Sequence, residues 1–369
     1  MTIAEEERLH SRPLLTIDLG AIVANWRALA ALAAPAEAAA VVKADAYGLG
    51  VDRVAPALFA AGARTFFVAL PHEGARLRSV LGPDPAIYVF NGFMPADTEL
   101  YAANDLRPVL NSLYQINSLQ AALYAMHEAP KVALHVESGI NRLGLMPDDL
   151  DALRATKTPG LEVTLIMSHL AIADDPADEM NARQRAAFAE RAALLRAIAP
   201  DARLSLGATG GTLLGAPYHF DMVRPGVGLY GGAPYAGALP VVTLEAPILQ
   251  LRRVPAGECV GYGATWTARR DSDIGVLPLG YADGLHRTRS GTQVWLDNRP
   301  APVVGRVSMD MITVDLTDHP DAAPGRMVEI IGARQSIDQL AKSAGTIGYE
   351  VLTALGARHA RRYTEPEAR

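Results

Sequence analysis

Cysteine is nearly absent from this chain. Cys259 is the only one in 369 residues, so no intrachain disulfide can form, which suits a reducing compartment. A lone cysteine of this kind reads as a small buried or half-buried hydrophobe. A basic block is also missing. The net charge of −6 carries no cationic stripe, which argues against nucleic acid as a partner. Apolar runs long enough to cross a bilayer are missing too, because the Ala-rich stretch 28–42 is broken by Pro35 and Glu37. The opening MTIAEEERLH lacks the basic start and apolar middle of a signal peptide. No fixed short period or low-complexity linker interrupts the chain. These absences lead to the expectation of a soluble, cytoplasmic protein with no membrane partner, no nucleic-acid partner and no metal.

What is present is ample core material. Half the residues are hydrophobic and 20% are charged, enough for more than one domain. Between residues 38 and 230, short apolar runs alternate with amphipathic ones. The strand candidates are 38–43, 65–70, 86–90, 107–110, 131–136, 162–168, 203–206 and 222–229. Between them HEGARLRSVL, SLYQINSLQAALYAMHE and NARQRAAFAERAALLRAIA carry apolar residues three and four apart. Eight such units predict a parallel sheet closed into a (β/α)8 TIM-like barrel, with an open doubly wound sheet as the rival. The weakest unit is the seventh, where no clear helix follows Leu206. After about Tyr235 the texture turns β-branched, alternating and Gly/Pro-punctuated, which predicts a mostly β domain with a short helical tail. The expected division is a barrel over 13–236 and a β domain over 237–369, joined by 1–12.

In a barrel, the C-terminal ends of the strands face the active site. Those ends carry Lys43 and Tyr47, His135 with Arg142, Ser168 and His169, the turn 208–211, and Arg224 in the eighth strand. Each has an ordinary reading. Lys43 fits a surface loop, His169 a satisfied core histidine, Arg142 an ion-pair partner, and GATGGTLLG a plain flexible turn. Together they suggest more. An amine held behind the apolar run AAAVV loses its proton readily and can attack a carbonyl. Glycines with Thr209 and Thr212 ahead of an apolar stretch can hold a phosphate. An amine, a phosphate site and an arginine are what a pyridoxal phosphate site needs.

The chain resembles the bacterial alanine racemase family, pyridoxal phosphate enzymes of fold type III, over nearly its whole length. VVKADAYGLG looks like the family's cofactor-lysine signature. SHLAIADD with NARQRAAF, HFDMVRPGVGLYG, GYGATWTA, LGYADGLHR, GRVSMDMITVDL and IGYEVLTALGARHARRY follow in the family order. The resemblance implies roles. Lys43 would carry pyridoxal phosphate covalently and act as base on one face of the substrate α-carbon. Tyr262 would act on the other face, supplied by the partner subunit, so the site is complete only in a homodimer. A base on each face inverts the carbon without turning the substrate over. A free phenol, with pKa about 10, needs a positive neighbour to serve as base, and His169 and Arg224 would stand in series behind it. Arg224 would face the pyridine nitrogen and leave it unprotonated. Tyr47, Thr209, Gly226, Val227 and Tyr349 would contact the phosphate. Arg142 and the Met309 N–H would meet the substrate carboxylate, and Tyr281 would line a narrow entrance that favours alanine, L or D.

The sequence departs from the family pattern in three places. His135 stands where many members carry a lysine whose carbamate orients the arginine, so Glu137 or a bound anion is expected to balance Arg142 instead. Glu137, Ser138 and Ile140 replace the usual Asp, Thr and Met. Ala208-Thr209 replaces Asn-Ser, which keeps the hydroxyl and loses an amide. Two rival enzymes share much of the pattern: a broad-specificity amino-acid racemase, and a barrel-type pyridoxal phosphate decarboxylase, against which Arg224 and Tyr262 argue. A cofactor-carrying binding protein without turnover would lack GYGATW. The physiological role the resemblance implies is D-alanine supply for peptidoglycan.

Overall fold

The computed structural model describes residues 11–126, 128–156, 160–287 and 292–365. The opening decapeptide, residue 127 at the end of one predicted helix, and 366–369 lie outside the described residues. The chain divides into two compact units, 22–239 and 1–21 with 240–369.

Strand β1 (Leu14–Asp18) belongs to the second unit and is described with it. In the first unit, β2 (Glu37–Ala38) and β3 (Ala40–Val41) form one strand interrupted at Ala39. β4 (Thr65–Val68), β5 (Ala86–Val89), β6 (Leu106–Leu110), β7 (Lys131–His135), β8 (Glu162–Met167) and β9 (Arg203–Ser205) follow β3 in one parallel sheet. β10 (Met222–Val223) pairs in parallel with β2, Met222 opposite Glu37. The Asp221 N–H donates to Leu204 O at 3.0 Å and the Arg224 N–H to Gly207 O at 2.8 Å, which joins the β10 segment to β9. Those bonds close the ring of eight. Its strands are buried on both faces, as in Thr65–Val68, because helices cover the outside and side chains fill the inside.

The predicted helices form at Pro71–Leu81, Leu113–Ala122 and Glu179–Leu195. Local chemistry sets their starts. Ser112 Oγ accepts from the Gln115 N–H, Asp178 Oδ1 accepts from Met180, and Pro71 opens its helix where no N–H partner is needed. The seventh helix is a single turn, Thr209–Leu213, too short to leave a periodic signal. The eighth strand is shorter than its predicted span 222–229, because the glycines of GVGLYG turn Val227–Tyr230 into a 3-10 helix.

The second unit is built on one nine-stranded sheet, which includes β12 (Gln250–Val254), β15 (Ser272–Leu277), β16 (Gln293–Leu296), β17 (Arg299–Val304), β18 (Ile312–Asp315) and β19 (Met327–Ile331). β1 lies between β11 (Val242–Pro247), antiparallel to it, and β20 (Ala360–Thr364), parallel to it. The predicted barrel start at residue 13 is therefore displaced. Leu14–Asp18 is half-buried and alternating, and its partners are the two far ends of the β unit. A separate hairpin of β13 (Cys259–Val260) and β14 (Trp266–Thr267) carries the turn Tyr262–Ala264. Cys259 is exposed on this hairpin, contrary to the buried or half-buried position expected. Among the described residues no helix is long and apolar enough to cross a membrane, and no His/Cys/Asp/Glu group could hold a metal ion.

Candidate active site

Lys43 leaves the barrel strand in an unusual way. Ala44, Asp45 and Ala46 have φ near +53 to +55°, and Tyr47 follows at +56°. Left-handed backbone costs a side-chain-bearing residue roughly 1–2 kcal/mol, and ADAY has no glycine to relieve it. Strain of this kind persists only where surrounding contacts impose it. Here the Val51 N–H donates to Asp45 Oδ1 at 2.9 Å, and Arg76 pairs with Asp45 at 3.2 Å. The Tyr47 ring stacks on Tyr230 with centroids 4.6 Å apart, and the Tyr230 hydroxyl donates to Val41 O. Gly226 is needed for close approach, because a Cβ there would collide with the Tyr47 hydroxyl. The Lys43 amine sits 5.8 Å from the centre of the Phe90 ring. Burial, then the Arg142 charge, lower its pKa, while Glu73 opposes them. Lys43 thus stands partly buried where its barrel strand ends.

Arg224 is 1% exposed and has no acidic partner among the described residues. Its Nη1 donates to Ser205 Oγ at 2.5 Å, and its Nη2 donates to Ser168 O at 2.5 Å and Leu206 O at 3.3 Å. Neutral acceptors fix its plane, and burial pushes its pKa down to about 9. Beside it, His169 is held to about 3 by burial and then by Arg224, Arg142, His135 and Lys43, so its imidazole is neutral at ordinary pH.

Thr209, Gly226 and Val227 form one corner. Thr209 Oγ1 accepts from the Gly226 N–H at 3.0 Å and the Gly228 N–H at 3.2 Å, which leaves the hydroxyl proton to donate elsewhere. Val227 opens the 3-10 turn, and its buried N–H has no partner among the described residues. A buried orphan N–H calls for an acceptor. This donor set, an arginine without an acid and a shielded lysine fit a phosphate-bearing aldehyde cofactor.

Asn111 was not singled out from sequence, although it directly follows the fourth barrel strand, where site residues are expected. Its amide donates to Phe90 O at 3.0 Å and Val109 O at 2.8 Å, so its Oδ1 faces His135 Nδ1 at 2.7 Å. That assigns the proton to His135 Nδ1 and leaves Nε2 a buried acceptor without a partner among the described residues. Burial and the Arg224 charge hold this imidazole at about 4. Between pH 4 and the ordinary 6.5 the unfolded chain binds a proton that the folded chain refuses, so stability climbs with pH across that window. The contribution reaches ~3 kcal/mol. Urea unfolding should show this fall on acidification, with a shallower slope in His135→Asn.

Glu137 does not serve as the counter-charge expected for Arg142. Its carboxylate accepts from the Gly139 N–H and from the Asn141 N–H at 3.0 Å, bonds that lower its pKa against burial. Ser138 and Ser168 join hydroxyls at 2.6 Å. Arg142 is exposed and forms no ion pair among the described residues.

The second unit carries Tyr262, Tyr281, Met309 and Tyr349. Tyr262 is 67% exposed at the hairpin turn. The Tyr281 N–H donates to Ser308 O and the Ala282 N–H to Met309 O, both at 3.0 Å. Buried Asp283 accepts from the Gly280 N–H at 2.8 Å and pairs with Arg358, which also holds Asp310 at 2.7 Å. The Tyr281 turn and the Met309 loop are thus one piece. Tyr349 is half-buried on the helix Gly348–Ala354.

The closed barrel, with a partly buried lysine at one strand end and a corner of spare N–H and hydroxyl donors, defines a class: a (β/α)8 scaffold in a chain that also carries a mostly β unit. The models for the alanine racemase N-terminal and C-terminal domains match residues 17–234 and 241–363, and the chain belongs to the alanine racemase family. The alanine racemase of Jannaschia sp. (strain CCS1) is 50% identical over 355 residues, covering 95% of this chain and 98% of that protein. That of Ruegeria sp. (strain TM1040) is 49% identical over 352 residues, with 95% and 98% covered. Among solved structures, alanine racemase from Bartonella henselae with covalently bound pyridoxal phosphate superposes with a TM-score of 0.90 at 38% identity, covering 96% of this chain and 99% of that one.

Proposed function

We propose that this chain interconverts L- and D-alanine with pyridoxal 5'-phosphate held on Lys43, in the cytoplasm, as a homodimer that supplies D-alanine for peptidoglycan. The observation that carries the reading is the partly buried Lys43 amine on a strained turn, in a barrel whose buried Arg224 is held only by neutral acceptors. The covalently bound cofactor in the Bartonella henselae relative supports the same assignment.

Tyr47, Thr209, Gly226 and Val227, with Tyr349, hold the phosphate. The Thr209 hydroxyl and the Val227 N–H have donor capacity to spare, and Gly226 admits the Tyr47 hydroxyl. When bound, the cofactor withdraws electrons and acidifies the substrate α-proton. Arg224 keeps the ring nitrogen unprotonated, since its own proton is not readily lost. Arg142 and the Met309 N–H orient the substrate carboxylate, and Tyr281 narrows the entrance. The Lys43 amine takes or returns a proton on one face of the α-carbon. On the other face Tyr262 of the partner subunit does so, with neutral His169 and cationic Arg224 behind it. The exposure of Tyr262 in a single chain supports a second copy covering it.

The test is direct. The purified protein should show the visible absorbance of lysine-bound cofactor and convert L-alanine to D-alanine. Release of carbon dioxide instead would favour the decarboxylase, and equal rates on serine, lysine or arginine the broad racemase.

A further inference from the structure

One carboxylate links the Lys43 turn to the neighbouring barrel unit. Glu73 Oε1 accepts from the Ala44 N–H at 2.7 Å, and Oε2 accepts from the Ala69 N–H at 2.8 Å and the Leu70 N–H at 3.1 Å. Ala44 directly follows Lys43 and is the first left-handed residue of the turn. Ala69 and Leu70 run from the end of β4 into the helix Pro71–Leu81. Asp45, through Val51 and Arg76, secures the body of the turn. Glu73 holds the peptide that leaves Lys43.

We propose that Glu73 is the positioning residue for Lys43, pinning the left-handed turn so that the lysine amine is presented to the cofactor. The inference rests on Lys43 being the residue that carries pyridoxal phosphate. Its chemistry is restrictive. All three partners are N–H donors, and two oxygens with no proton must receive them. An amide has one such oxygen and would turn its own N–H groups toward a donor. Without the pin, Ala44 is free to return to ordinary negative φ, and the lysine that precedes it moves.

Three variants separate pinning from helix capping. Glu73→Asp keeps the charge and reaches the N–H groups beside its own helix, but falls short of Ala44. Glu73→Gln keeps the length and loses the second acceptor. Glu73→Ala loses both. The readout is the rate at which cofactor-free protein captures added pyridoxal phosphate, followed by the visible band well below the melting temperature. Glu73→Asp and Glu73→Gln should both be slower than wild type by on the order of tenfold to a hundredfold, the scale set by a misplacement of about 1 Å. A helix-capping role alone would lower the melting temperature in Glu73→Ala and leave the Glu73→Asp capture rate unchanged, and that result would overturn the proposal. Borohydride reduction of the wild type, followed by peptide mapping, checks the underlying reading. A pyridoxyl group found elsewhere than on Lys43 removes both. One found on Lys43, with Glu73→Asp capturing at the wild-type rate, removes only the role of Glu73.

Discussion

Tyr262→Phe should keep the visible cofactor band and lose racemisation by on the order of 10³-fold, within the range that a positioned proton-transfer group contributes. The loss must be equal in both directions, because mirror-image substrates have an equilibrium constant of one, and kcat/KM for the two directions cannot diverge. The asymmetry appears in solvent exchange. In deuterated water, one enantiomer should still exchange its α-proton through Lys43, while the other should stop. Tyr262 stands 67% exposed on its hairpin, with no packing role that phenylalanine would fail to fill. A collapse in the cofactor band or in the melting temperature would therefore contradict a purely chemical role.

Lys43→Ala should be the more severe change. It removes both the covalent anchor and one of the two bases, so activity should drop by at least about 10⁴-fold and the visible band should vanish. Loose binding of the cofactor should persist through Thr209, Val227 and Tyr47, measurable by equilibrium dialysis. The fold should be unharmed, because Lys43 is only partly buried and burial already works against its charge. Exchange of the α-proton should cease for both enantiomers, which separates this variant from Tyr262→Phe.

Much of this site was legible in the sequence because barrels put function at strand ends. Reading the residues after each apolar run reached Lys43, His135, Ser168, His169 and Thr209, and Arg224 from within the last run. Other features were not legible, for physical reasons. ADAY carries no glycine, so nothing local announces a left-handed turn; contacts from Val51, Arg76 and Glu73 impose it. Glu73 is 29 residues from Ala44, and Asn111 is 24 from His135. Partners that far apart leave no periodic trace. The expected barrel over 13–236 takes in β1, yet the register of β1 is with Val242–Pro247 and Ala360–Thr364, more than 200 residues away in sequence and without a periodic trace. Charge alone makes Glu137 one of two candidates to balance Arg142, a bound anion being the other, whereas backbone N–H groups in its own loop claim both Glu137 oxygens.

Mixing the two inactive variants tests the shared site most directly. If Tyr262 serves the partner's lysine, a heterodimer of Lys43→Ala and Tyr262→Phe has one site with both groups missing and one with both intact. Random reassortment of equal amounts should then recover about a quarter of the wild-type activity, from symmetry alone. If Tyr262 serves the Lys43 of its own chain, every site in the mixture lacks one group. Activity that stays at the level of the separate variants, after exchange of subunits has been demonstrated, would contradict the account.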